Sequence, residues 1–320
     1  MKHWLMKFAA LVATVSLVSA CGGGDDDPGT LAQEAQARGF SALVAAADKA
    51  GLVPALSAET SNLTVFAPTD AAFTSLATTL GFASADAMVK ALDGPTLAKI
   101  LQYHVLPTKK LAADLVAAGA TSAQSTLYEF EGAATTLALD TSAGVKITDE
   151  VLTAATVTTA NVEASNGVIH VIDKVLVPPG VLNVVQMAQL NPAAFSTLVG
   201  AVVAADLAGA LSGAGPFTVF APTNDAFAAI SSTVNGLTIP QLTTVLTYHV
   251  VGAQVLSSGI PFGTPVTTLS GQSITINAGS APTIATITDS TTAPKSIVAV
   301  DVRASNGVIH VIDGVLIPNL

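Results

Sequence analysis

The chain has 320 residues, of which 50% are hydrophobic, 11% charged and 5% aromatic, too apolar for disorder and too long for one small domain. Its 22 acidic against 12 basic residues give a net charge of −10, a balance that repels phosphate backbones and excludes nucleic-acid binding. A single cysteine allows no intramolecular disulfide and no Cys-rich zinc or iron–sulfur site.

Residues 1–20 carry Lys2 and Lys7 ahead of an uncharged run from Phe8 to Ala20 that ends in small residues. The run is too short to span a bilayer, which takes about 20 apolar residues. Val18-Ser19-Ala20-Cys21 resembles the lipobox of a bacterial lipoprotein signal, which implies a diacylated Cys21 as the new N-terminus. Residues 21–30 then read as a Gly/Asp tether, with Asp25 to Asp27 a solvated linker and not a cation site. Loss of Lys2 and Lys7 takes the net charge to −12, so the acyl chains would have to anchor the protein without a polybasic patch. Gly22 after the cysteine implies sorting to the outer membrane, on a face the residues do not specify. No later segment reads as a transmembrane helix, which places the remainder in an aqueous, extracytoplasmic space.

The rest of the chain is two copies of one unit. Thr64 to Thr69 (TVFAPT) recurs as Thr218 to Thr223, an offset of 154, and Tyr103-His104-Val105 recurs as Tyr248-His249-Val250, an offset of 145. Ala164 to Asp173 (ASNGVIHVID) recurs unchanged as Ala304 to Asp313, an offset of 140. The order is kept while the offset shrinks, so the second copy has lost residues between motifs, and such losses are expected in loops. Phe40, Leu43, Val44 and Ala47 have helical spacing within Phe40 to Ala50, as have Phe195, Leu198, Val199 and Val202 within Phe195 to Ala205. TVFAPT predicts a short buried strand, with Thr69 and Thr223 as N-caps of helices that bury Phe73 and Phe227. The segment holding Leu92, Leu97 and Ile100 predicts a helix that runs into an extended exit at Val105. From Leu127 onward, Thr/Val/Ile alternation with Gly and Asn breaks predicts antiparallel strands. Asn166-Gly167 and Asn306-Gly307 are hairpin-turn signals because both residue types tolerate positive φ, and the VIHVID strand after each, apolar on both faces, should be central. Pro178-Pro179-Gly180 marks the boundary between a domain at 31–179 and one at 180–320, close enough to touch. The resulting class is α+β, with no third domain expected.

Four histidines follow the leader, His104, His170, His249 and His310, two per copy at matching places. They have no HxH or HExxH spacing, so no metal is assigned and His170, in line with Val168 and Ile172, reads as a buried structural histidine. Asp173 and Asp313 end the buried strands, and with no second acid near another motif in both copies they read as caps, not hydrolytic acids. There is no GxSxG elbow, no GxGxxG and no GxxxxGK[ST], so no nucleophile elbow or nucleotide cradle is read and no cofactor is called. The glycosylation sequon Asn62-Leu63-Thr64 runs into a buried strand and is set aside, and Lys109-Lys110 reads as an exposed loop.

TVFAPTDAAF and TVFAPTNDAF, the two Tyr-His-Val segments and the two NGVIHVID segments together resemble the motifs of a tandem fasciclin (FAS1) domain lipoprotein. The resemblance implies two α+β domains, each an antiparallel β-wedge or sandwich wrapped by helices. It also implies a role in adhesion or extracellular matrix contact and no common enzymatic activity. In animal members an Asp-Ile pair before the Asn-Gly turn and residues around Tyr-His are implicated in integrin binding. That carries over to Tyr103, His104, Tyr248 and His249, and to Asp301 with Val302, while Asn161-Val162 departs from the pattern. The partners so implied are an extracellular protein or polysaccharide, a second copy of the chain, and the membrane through the lipid on Cys21. The alternative is a carrier of an apolar small ligand such as a carotenoid, and an envelope hydrolase ranks third.

Overall fold

The computed structural model describes residues 27–234, 236–280, 284–291 and 293–320. The leader, Cys21 and most of the Gly/Asp tether lie outside these residues.

The first domain runs through α1 (Leu31–Ala37), α2 (Ser41–Lys49), α3 (Val53–Leu56), β1 (Leu63–Pro68), α4 (Asp70–Thr79), α5 (Ala85–Ala91) and α6 (Gly94–Tyr103). It continues with β2 (Val105–Leu106), α7 (Ala112–Ala117), β3 (Thr121–Phe130), β4 (Ala133–Asp140), β5 (Lys146–Thr148), β6 (Ala154–Ala164) and β7 (Gly167–Ile172). The second domain repeats the plan with α8 (Val184–Gln189), α9 (Pro192–Ala204), α10 (Ala208–Ser212), β8 (Phe217–Pro222), α11 (Asn224–Ala229), α12 (Ser231–Val234) and α13 (Ile239–Tyr248). Then come β9 (Val250–Val251), a 3-10 turn at Ser257–Gly259, β10 (Pro265–Thr267), β11 (Ser273–Ala278), β12 (Ala285–Thr288), β13 (Lys295–Ala304) and β14 (Gly307–Ile312).

Each domain holds one seven-stranded sheet, ordered β2-β1-β7-β6-β5-β4-β3 and β10-β11-β12-β13-β14-β8-β9. The VIHVI strand is central and buried along its whole length in both. The sheets are antiparallel except at one place, where β7 runs parallel to β1 from Leu63↔Gly167 to Pro68↔Ile172 and β14 runs parallel to β8 in the same register. The Thr/Val/Ile pattern carried only the hairpin-linked strands. A parallel partner must come from a segment far away in sequence, here TVFAP, on the other side of the intervening helices and strands. Its thorough apolarity is the mark of a strand covered on both faces. Helices bury Leu43, Phe73, Leu97 and Leu101 on one side of that strand pair, and the curled sheet buries Phe66, Leu137, Leu139 and Ile147 on the other. The second domain divides its core in the same way.

Thr69 and Thr223 accept hydrogen bonds from Ala72 N (3.2 Å) and Ala226 N (3.3 Å), the N-caps expected of them. Strand structure begins at Thr121, ahead of Leu127, and α9 begins at Pro192, ahead of Phe195. The lost residues are not confined to loops. The seven-residue α5 stands where the second copy has only the four-residue α12, and the long β3–β4 hairpin where it has the short β10–β11 pair.

The domains touch through side chains that only one copy possesses. In the turn after β5, Val151 is 1% exposed and belongs to the second domain's core, while its carbonyl accepts from Asn191 Nδ2 at 3.0 Å. Glu150 Oε1 accepts from Arg303 N at 2.5 Å, and Arg303 Nη1 pairs with Glu131 at 3.1 Å. The guanidinium also lies 5.8 Å from the Phe130 ring centroid. Phe130 is seated against Gly180, where a Cβ would stand 2.2 Å from the ring and φ is +72°. Burial raises the Glu150 carboxyl to about 7, against the pull of Arg303.

Candidate functional site

Most of the polar residues singled out by the repeated motifs are spent inside the fold. Asn166 is 1% exposed; its Oδ1 accepts from Leu31 N at 2.8 Å, and its Nδ2 donates to Leu56 O and Ala58 O, both at 3.0 Å, and to Ser61 Oγ at 3.2 Å. Asn306 does the same for Val184 N (3.0 Å), Leu211 O (2.8 Å) and Gly213 O (2.8 Å). Each asparagine thus ties the start of the domain's first helix to the hairpin and to the loop before the parallel strand. The hairpin turn sits one residue earlier than the Asn-Gly pair, at Ser165-Asn166 and Ser305-Asn306, and neither Asn nor Gly has positive φ. The glycines answer a different demand: a Cβ on Gly167 would lie 2.3 Å from Leu63 O, and on Gly307 2.2 Å from Phe217 O. Glycine alone lets the parallel strands close at this register.

The histidines are likewise internal. His104 Nδ1 donates to Ile100 O at 2.7 Å and Nε2 accepts from Leu176 N at 2.8 Å. His249 repeats both bonds with Val245 O (2.8 Å) and Leu316 N (2.8 Å). Burial pushes each imidazole down to about 4, so both are neutral, with the proton on Nδ1. His170 Nε2 donates to Lys110 O at 2.9 Å, His310 Nε2 to Val255 O at 2.9 Å, and burial lowers both rings too. Phe66 and Phe220 lie 5.6 and 5.7 Å from the His170 and His310 ring centroids. Asp173 Oδ1 accepts from Thr156 N at 2.7 Å and Asp313 Oδ1 from Ser296 N at 2.6 Å, so both act as clasps at the strand end.

The residues assigned to partner contact do not form an exposed patch. Tyr103 and Tyr248 are 2% and 1% exposed, His104, His249 and Val302 are buried, and the tyrosine hydroxyls donate to Thr136 O (3.4 Å) and Ser273 O (2.9 Å). Burial raises both phenols. Asp301 has φ +59°, accepts from Ser257 N at 2.8 Å and bonds the Ser257 hydroxyl. Asn161 at the matching position has φ +57° and accepts from Ala112 N at 2.8 Å. The first domain therefore does not depart from the pattern: acid and amide perform one task, holding the loop before the hairpin in a left-handed turn that Asn and Asp tolerate best. As folded, direct contact of a partner with the Tyr-His pairs or Val302 is closed by burial. Among the described residues no group of three His, Cys, Asp or Glu comes together as a metal site, and no helix is long and apolar enough to cross a membrane.

What the motifs did not announce is a cavity. In the first domain an apolar cavity of about 310 Å³ lies between α1, α2, α3 and the β1–β7 face, lined by residues including Leu31, Val44, Leu56, Val65 and Ile169. Its polar lining is Gln33, Gln36, Ser57, Gln102 and His104, and no charged side chain takes part. The second domain has the corresponding space between α8, α9 and β8, shrunk to about 40 Å³. The reason is legible in the aligned sequences. Leu31 and Val184 are matched by their bonds to Asn166 and Asn306, so Val185 stands for Ala32; the helical pattern sets Val202 against Ala47, and the TVFAPT offset sets Phe217 against Leu63.

A family model described as "Fasciclin domain" matches residues 38–178 and 193–318. Protein sll1483 of Synechocystis sp. is 44% identical over 142 residues, 43% of this chain and 74% of that protein. The transforming growth factor-beta-induced protein ig-h3 of Sus scrofa is 37% identical over 164 residues, 50% of this chain but 23% of that protein. A solved FAS1 domain pair from the insect cell adhesion molecule Fasciclin I shares 18% identity at a TM-score of 0.43, over 89% of this chain and 94% of that one. With two matched regions that take up most of its length, each a sheet closed round the same buried Asn, His and Gly positions, the chain belongs to the fasciclin domain family.

Proposed function

We propose that the protein is a non-enzymatic, lipid-anchored envelope protein that makes adhesive or matrix contacts in the extracytoplasmic space through its two fasciclin domains. The observation that carries this reading is the junction: Val151, Glu150 and Arg303 fasten two copies of one surface to each other. A fixed pair of weak sites, displayed in many copies on a membrane, gains avidity without a tight single contact. The internal use of the motif residues supports a scaffold whose contacts lie on exposed faces, toward an extracellular protein, a polysaccharide or a second copy. The anchor is tested by Cys21→Ser in the native host, with cells assayed for adherence to immobilised envelope polysaccharide and matrix protein. The variant is expected to leave the membrane fraction and to abolish adherence; retention in the membrane would overturn the anchor, and undiminished adherence the adhesive role.

A second reading, carriage of an apolar small ligand, is favoured by the cavity of the first domain, whose volume falls within the range of roughly 300–1,000 Å³ typical of small-molecule sites. Release of a small molecule on denaturing the gently extracted protein would support it.

A further inference from the structure

The second reading leaves open what would enter, and the two copies answer the question by their difference. A dry cavity of about 150 Å³ accommodates a benzene ring, six carbons, so a cavity of about 310 Å³ accommodates roughly a dozen. A carotenoid is several times too large to be enclosed. A carboxylate or phosphate head would find no lysine, arginine or other cation in the lining, and burying it unpaired would be costly. The exposed members of the lining, Gln33, Gln36 and Ala55, mark the mouth, where uncharged amides meet a hydroxyl without cost. The mouth is built on α1, the first helix after the tether.

Resting on the carriage reading, we infer that the first domain alone binds one straight, uncharged single-chain lipid of about twelve carbons, of the fatty-alcohol or monoacylglycerol class, with its hydroxyl head at the glutamine-lined mouth. The second domain is the same pocket filled by its own side chains. Val185 and Val202 supply the branched groups that Ala32 and Ala47 lack, so its remaining space of about 40 Å³ holds no chain.

The test is native mass spectrometry of the purified full chain titrated with straight-chain alcohols of increasing length. One equivalent is expected to bind, with affinity rising about fourfold per added methylene and levelling at roughly a dozen carbons, where the cavity ends. Ala32→Val with Ala47→Val is expected to cut the affinity at least tenfold while the protein stays folded, since the second domain tolerates those residues at the same places. Val185→Ala with Val202→Ala is expected to add a second equivalent, which keeps the test decisive if the first variant fails to fold. Equal binding of the fatty acid anion, affinity that climbs well past that length, or indifference to both double variants would overturn the inference. Preferential uptake of a carotenoid would overturn it while leaving carriage standing; uptake of neither would remove both.

Discussion

Asn166→Ala isolates one polar knot at the root of the first domain. The side chain offers one acceptor and two hydrogens, so of the four partners within 3.2 Å it can fully satisfy three at once: Leu31 N and two among Leu56 O, Ala58 O and Ser61 Oγ. At about 1 kcal/mol net for each bond, truncation costs about 3 kcal/mol, and somewhat more because Leu31 N is left without a partner in a buried place. Asn306→Ala removes three bonds of the same kind and should cost the second domain a similar amount. Asn166→Asp separates hydrogen bonding from packing, because it keeps the shape and the acceptor but turns both donors into a carboxylate oxygen facing two carbonyls. It should be at least as destabilising as alanine. Urea unfolding of the full chain, followed by far-ultraviolet circular dichroism, reads all three as shifts in midpoint at constant slope. A loss below about 1 kcal/mol for alanine, or an aspartate variant close to wild type, would refute the account of this asparagine as a hydrogen-bonding hub.

Gly167→Ala and Gly307→Ala force a methyl to within 2.3 and 2.2 Å of a carbonyl on the parallel neighbour, so each should cost about 3 kcal/mol and lower the domain's melting temperature by about 10 °C in calorimetry. His104 and His249 sit near 4 when folded against about 6.5 unfolded; the unfolded chain takes up protons first as pH falls, so the stability they contribute is complete above 6.5 and lost toward 4, about 3 kcal/mol each. Glu150, raised to about 7, acts oppositely, its contribution being complete below about 4.5 and lost as pH rises through 7, so in a series of urea melts the two histidines outweigh it and stability increases from pH 4.5 to 6.5. Arg303→Glu sets a third acid beside Glu131 and Glu150 and should open the junction, read as faster limited proteolysis between Pro178 and Leu182; unchanged cleavage would count against the clasp.

The repeated blocks made the domain count, the N-caps Thr69 and Thr223 and the buried VIHVI strands legible, because each rests on local pattern or local chemistry. The parallel pairing of Leu63–Pro68 with Gly167–Ile172 was not, since it depends on a segment about a hundred residues away. Gly167 drew attention for turn chemistry when its importance is a distance across strands. Tyr103, His104 and their counterparts look like surface chemistry in a string of letters, yet an Nδ1–H facing a helix carbonyl and an Nε2 capping Leu176 N become visible only when the fold closes. The cavity needed two observations at once: the alanine-for-valine differences were present in the sequence, but a missing methyl group has no meaning until three helices and a sheet surround it.

The junction also has a direction. Arg303, which receives the first domain's Glu150 and Glu131, corresponds to Glu163 in the first domain, and Glu150-Val151 corresponds to Ser290-Thr291 in the second. The first domain therefore offers a plug and no matching socket, the second a socket and no matching plug. Head-to-tail contacts between identical units propagate into open filaments unless something stops them. Here charge reversal at one end and loss of the valine at the other confine that contact to the covalent pair, so a membrane crowded with copies keeps them as separate two-domain units and leaves their outer faces free for other partners.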